Sequence, residues 1–248
     1  MYPTQRKWFN LGAFALMVVL NGLANGLPLN HKTTGQLSDQ YPNLFVPAGL
    51  TFAIWGVIYL LLLGIVLLPF IPKYKHKTQD TGPWFAINAL CNALWIVAWH
   101  YEYLVVSILL IALIFISLIA INKNLNGAGN NLECIGFGIY LGWICIALPA
   151  NLTAAWVHFG WPVFGISEPG WAAILIFAGL AAGLVLSWNL YNPYPMASIA
   201  WALLGIYLKR SGDYEDLSGI ALGAAVVALL SGIIFWLRKP ILAQNSVG

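Results

Sequence analysis

Residues 45–59 read FVPAGLTFAIWGVIY, an apolar stretch that opens on Pro47-Ala48-Gly49 and carries Trp55 in its middle. The run continues to residue 70 without a charged side chain. The hydrocarbon core of a bilayer, about 30 Å thick, is crossed by a helix of about 20 apolar residues. Backbone amides in that layer are satisfied only within a helix or a closed barrel, and these residues show no period-two alternation, so the stretch reads as a membrane-spanning helix.

The rest of the chain repeats the pattern. Of 248 residues, 60% are hydrophobic and only 8% are Asp, Glu, Lys or Arg, too few charges to cover a water-facing surface. The expected fold is all-α, a polytopic membrane helical bundle. Spans are expected at 8–27, 47–70, 83–100, 103–122, 134–157, 171–190, 194–208 and 218–237. The seventh is short and follows Asn192, Pro193 and Pro195, so a re-entrant or broken helix would reduce the count from eight to seven. Arg6 and Lys7 precede a first apolar run that is long and lacks a clear cleavage site, and it reads as a retained helix.

With eight spans, a cytoplasmic N-terminus puts Arg6, Lys7, Lys73, Lys75, Lys77, Lys123, Arg238 and Lys239 inside and leaves Lys32, Lys209 and Arg210 outside. This is the arrangement of a multi-pass protein of a bacterial inner or plasma membrane. The net charge of +3 then serves to anchor the chain to anionic lipid and gives no footprint for nucleic acid.

No Walker loop, HExxH, GxSxG or CxxCH motif is present, so nothing marks the chain as an enzyme. Cys91, Cys134 and Cys145 show neither CxxC spacing nor a histidine at ligand distance, and they read as packing residues with no metal among them. The spans do contain amides and tryptophans. Asn21 and Asn25 are four apart, as are Asn88 and Asn92 and also Trp95 and Trp99, so each pair shares a helical face. Such faces turn inward, either to bond a neighbouring helix or to line a cavity. An aromatic wall with amides beside it suits a flat, mostly apolar ligand with a few polar groups.

Three motifs then carry a resemblance over residues 5–159. Pro47-Ala48-Gly49-Leu50-Thr51-Phe52, followed by Trp55 and Tyr59, lies on the second span. Asn92 and Trp95 lie on the third, and Trp143, Asn151 and Thr153 on the fifth. In this order the chain resembles the TspO/MBR family of tryptophan-rich sensory proteins, which includes the translocator protein (peripheral benzodiazepine receptor). The resemblance implies a five-helix core over 1–160, a C-terminal extension of two or three helices over 161–248, and a pocket beneath the loop joining the first two spans. It implies ligand-binding roles for Trp55, Asn92, Trp95, Trp99, Trp143, Asn151 and Trp156, with Pro47, Gly49, Phe52 and Tyr59 as the motif around them. The ligand it implies is porphyrin- or sterol-like, a tetrapyrrole being one such molecule.

Two departures bear on the site. Gly49 and Trp55 are one residue closer than the family pattern, which would turn Trp55 by about 100° on an α-helix. Pro149 falls inside the fifth span and is expected to kink it. The loop from Leu29 to Val46 carries His31, Gly35, Asp39 and Pro42, and is long and polar enough to act as a gating lid. His31, His100 and His158 read as solvated interfacial residues, because their spacing demands no metal.

The expected function is binding of a planar hydrophobic small molecule in a Trp/Asn-lined pocket, with a sensory, carrier or scavenging role. A secondary transporter of a lipophilic solute and an enzyme acting on a bound porphyrin remain open as alternatives. So does a structural subunit of a larger membrane complex or homo-oligomer, built on Gly138 with Gly142, Gly179 with Gly183, and Gly219 with Gly223.

Overall fold

The computed structural model describes residues 4–26, 29–74, 81–126, 131–161 and 164–245, with side chains described as far as Arg238. Lys75 and Lys77 and the side chain of Lys239, all expected on the cytoplasmic side, lie outside the described set. Every regular element among the described residues is helical. Eight helices correspond to the eight expected spans: α1 (Thr4–Gly26), α3 (Ile54–Leu67), α4 (Trp84–His100), α5 (Leu104–Leu125), α6 (Asn131–Phe159), α7 (Glu168–Asn189), α8 (Pro195–Arg210) and α9 (Glu215–Asn245). A ninth, α2 (Thr34–Asp39), lies within the connection between α1 and α3.

Six of these segments are long and apolar enough to cross a membrane, the second of them running from Gly49 to Phe70, and the chain is a multi-pass membrane protein. The other two spanning positions are shorter. At 17 residues, α4 is mostly apolar but carries Asn88, Asn92 and His100, whereas α8 has only 16 residues, about 24 Å at 1.5 Å per residue. Rather than breaking, α8 is one continuous helix, started by Pro195 in its first turn and packed against α6, α7 and α9.

Local chemistry sets the ends. Ser167 caps α7, its hydroxyl accepting from the Gly170 amide at 3.3 Å, with Glu168 in the first turn where the helix dipole favours a negative charge. Asn126 ends α5 in the left-handed conformation, which asparagine tolerates better than most residues. In the connection between α1 and α3, Thr33 and Gln36 form a reciprocal capping box that nucleates α2. The Thr-x-x-Gln spacing was the available signal for a helix inside what reads by composition as a polar loop.

Glycines allow the closest helix contacts. A Cβ at Gly142 would collide with the backbone carbonyl of Pro195 and the Ser198 hydroxyl, and one at Gly183 with Ile199. A Cβ at Gly138 would meet Tyr194 and Asn192 at 2.7–2.9 Å. The first two small-residue pairs therefore seat α8 against α6 and α7, and α7 against α6, within the chain, whereas Gly219 and Gly223 face open space. Helix α6 continues through Pro149, whose ring removes the amide that the Cys145 carbonyl would accept. Here α7 passes close, with Gly179 against Ile146 and that carbonyl. The three cysteines are buried, and none of them forms a disulfide.

Candidate ligand-binding site

The 3-10 helix Gly49–Ala53 leads directly into α3 and decides where Trp55 points. A 3-10 turn advances about 120° per residue and an α-turn about 100°, so five 3-10 residues add roughly 100°. That equals the rotation of the one residue missing between Gly49 and Trp55. The Trp55 ring accordingly lies 5.6 Å from Trp95, 5.6 Å from Tyr140 and 6.2 Å from Trp143, and stacks on Tyr59 at 5.6 Å.

Trp55, Trp95 and Trp143 border a small cavity of about 30 Å³, room for roughly one or two waters. Its lining brings together the motif residues Pro47 and Phe52 with Trp55, Trp95, Trp99, Trp143 and Asn151. Thr34 and Ser38 of α2 close it from the side of the connection. Trp95 and Trp99 stack at 6.4 Å and 18°, and Phe52 meets Trp143 edge-on at 5.8 Å.

Polar satisfaction in this cavity is one-sided. The indole nitrogens of Trp95, Trp99 and Trp143 have no hydrogen-bond partner, and neither does Asn151 Nδ2, whose Oδ1 already accepts from Ser107 at 2.9 Å. All four residues are at least 95% buried. An unmade bond from a buried donor costs about 1–3 kcal/mol, so four around one space amount to a standing demand for acceptor atoms.

Asn92 has a different position. It is fully buried and joins four helices: Asn21 of α1 donates to its Oδ1 at 2.8 Å, Tyr59 of α3 does so at 3.5 Å, and its own Nδ2 donates to the Tyr140 hydroxyl of α6 at 2.6 Å. Asn88, one turn earlier, bonds Ser117 and the Ile114 carbonyl of α5. This face of α4 therefore holds the bundle together, and its amides lie behind the cavity wall.

The connection from Leu29 to Val46 is fastened at both ends. Lys32 and Tyr41 converge on Glu102, at 3.3 and 2.7 Å, and Asn30 donates to the His100 carbonyl. On the other side Lys209 pairs with Asp39 at 2.7 Å, and Arg210 donates to the carbonyls of Asn43 and Leu44. Helix α8 also braces the motif itself. The Ala48 amide donates to the Gly205 carbonyl, Trp201 Nε1 donates to the Thr51 carbonyl, and Gly205 leaves no space for a Cβ beside Thr51 and Pro47.

The Tyr41 hydrogen bond, with a further contribution from Lys32, holds the Glu102 carboxyl below its ordinary value against the opposing effect of burial. A carboxyl depressed in this way contributes anchorage above its unfolded pKa, and the contribution is lost as pH falls through the folded value. Acidification below the ordinary carboxylate range should therefore speed amide exchange across 29–46 while α5 stays protected. Glu102→Gln should cause the same loosening at neutral pH and flatten the acid response. An unchanged response in that variant would place the acid-sensitive group elsewhere.

Some expected site residues lie apart. Trp156 belongs to a second aromatic group, 5.1 Å from Trp171 and 6.1 Å from Trp161, beside a separate apolar cavity of about 120 Å³ under Leu44 and Phe45. Gly49, Tyr59 and Asp39 line an open groove outside the central cavity. His31 is exposed in a left-handed turn, and His158 is exposed with Tyr41 at 5.9 Å. His100 departs from the expectation of a solvated residue: it is 1% exposed, with Nδ1 2.8 Å from the Ile96 carbonyl, at the end of a helix that packs against α1. Glu133, just ahead of the expected fifth span, is a fully buried helical residue of α6. Sequence reasoning missed it because it sits at the edge of the apolar run. Among the described residues no group of three His, Cys, Asp or Glu side chains could hold a metal.

A family model described as TSPO-like protein matches residues 7–235. The match takes in α7, α8 and most of α9 together with the helices that form the cavity. No curated protein and no solved structure matches the chain.

Proposed function

The chain belongs to the TSPO-like protein family, and from that membership we propose that it binds a planar hydrophobic molecule carrying hydrogen-bond acceptors, a tetrapyrrole-like compound, in the cavity between Trp55, Trp95, Trp99 and Trp143. The observation that carries this reading is the set of four unpartnered N–H donors around one aromatic space. Stacked rings favour a flat body, and the donors favour carboxylate or carbonyl oxygens on its edge. At about 30 Å³ the cavity is too small for such a molecule as it stands, so loading requires Phe52 and Trp55 to move aside. The role that follows is sensing, carrying or scavenging, with the lipid bilayer as the source of ligand.

In purified protein, a porphyrin dicarboxylate should quench tryptophan emission saturably. Trp95→Phe with Trp143→Phe should weaken binding by about tenfold or more, since stacking is worth about 0.5–1.5 kcal/mol and each lost donor about 1 kcal/mol. Unchanged affinity in the folded double variant would move the ligand out of this cavity.

A further inference from the structure

A groove of about 660 Å³ runs between α1 and α3, capped by α2, and shares the side chains Thr34, Phe52 and Trp55 with the small central cavity. Its volume lies within the range of small-molecule sites, about 300–1,000 Å³. It exists because α1 packs chiefly on α4 and only lightly on α3, and because Gly22 and Gly56 leave its sides bare: a Cβ at either would meet nothing within 4 Å. Polarity is graded along it. Asn25, Thr33, Gln36 and Asp39 lie at the α2 end, and the stacked pair Trp55 and Tyr59 forms a flat wall further in.

We propose that this groove is a lateral entrance, through which a planar amphiphile dissolved in the bilayer reaches the tryptophan-lined cavity without the 29–46 connection opening. The inference rests on the reading of that cavity as the ligand site. The amphiphile's flat body slides along Tyr59 and Trp55 while its polar edge stays level with Asn25 and Gln36. Phe52 and Trp55 form the partition between groove and cavity. Side chains do the opening, because the backbone ahead of α3 is held by α8 through Ala48, Thr51 and Gly205. The covering connection, by contrast, is fastened on one side to Glu102 and the His100 carbonyl and on the other to Lys209 and Arg210. A route over the top would break these contacts, whereas a route between α1 and α3 breaks none of them.

The test uses protein reconstituted in phosphatidylcholine vesicles with mesoporphyrin as the probe, followed by tryptophan quenching. Gly22→Phe with Gly56→Phe fills the groove from both sides. The expected result is association and dissociation both slowed at least tenfold, with equilibrium affinity within about threefold of the unmodified protein. A second form adds the bulk after folding, by alkylating Gly22→Cys with a large maleimide in a background lacking Cys91, Cys134 and Cys145. Unchanged rates in both forms would overturn the inference while leaving the site intact. So would faster exchange on replacing Thr33 to Ser38 with glycine and serine if the filled groove exchanged at the normal rate, since the connection would then be the gate. A tenfold fall in affinity with unaltered association would make the groove the resting place and overturn it too. Absence of any saturable binding to the unmodified protein would instead remove the ligand site itself.

Discussion

Gly142→Ala is expected to destabilise the protein by about 1–3 kcal/mol, the cost of overpacking a well-filled interior. The added methyl group would meet the Pro195 carbonyl, which is backbone at the start of α8, and the Ser198 hydroxyl, which already donates to the Ile139 carbonyl at 2.7 Å. Neither can swing away as the tip of a long side chain could, so α8 must shift as a body. Because α8 braces the Pro47-Ala48-Gly49 segment and fastens 29–46, the shift should also reduce porphyrin binding. Gly223→Ala is the control. Its Cβ meets nothing within 4 Å, and replacing a mid-helix glycine by alanine stabilises by roughly 0.5–1 kcal/mol. Thermal unfolding in detergent should move in opposite directions for the two variants. Equal shifts would mean that α6 and α8 are not packed as described.

Asn92→Leu should be the most damaging single change to the polar interior. It removes the acceptor used by Asn21 and Tyr59 and the donor used by Tyr140, separating α1, α3 and α6 from α4 at one stroke. Interhelical bonds of this kind contribute about 0.6–2 kcal/mol each in membrane proteins, so a loss of about 2–3 kcal/mol is expected for the set. Adding Tyr140→Phe to Asn92→Leu should cost less than the two separate losses combined, since they share one bond. Strict additivity would show that the Asn92–Tyr140 contact carries no stability.

Much of the bundle was legible in the residues. Each of the eight expected spans corresponds to a helix, six of them to within four residues at both ends, because apolar run length and flanking prolines, glycines and capping residues are local properties of the chain. The exceptions are α3, which starts seven residues late behind a 3-10 turn, and α9, which runs eight residues further. The inward faces of Asn21, Asn88 and Asn92 follow equally from the 3.6-residue repeat. That repeat gives a face and no partner, so it could not say that Asn92 ties helices together behind the cavity wall while Asn151, in the cavity lining, leaves its Nδ2 without a partner. Trp156 shows the same limit: its helix and depth were readable, but its neighbours Trp161 and Trp171 come from a turn and a helix whose positions depend on packing.

The sequence alone determined that this is an all-helical membrane protein with a tryptophan-rich interior, since composition and run length act through solvation of each segment by itself. Only the tertiary structure decided that five 3-10 residues restore Trp55 to the cavity, that α8 braces the motif and the covering connection, and that α1 and α3 stand apart to leave a groove. Those outcomes depend on rotations about helix axes and on close approaches at glycine, which arise when distant segments compete to fill the same space.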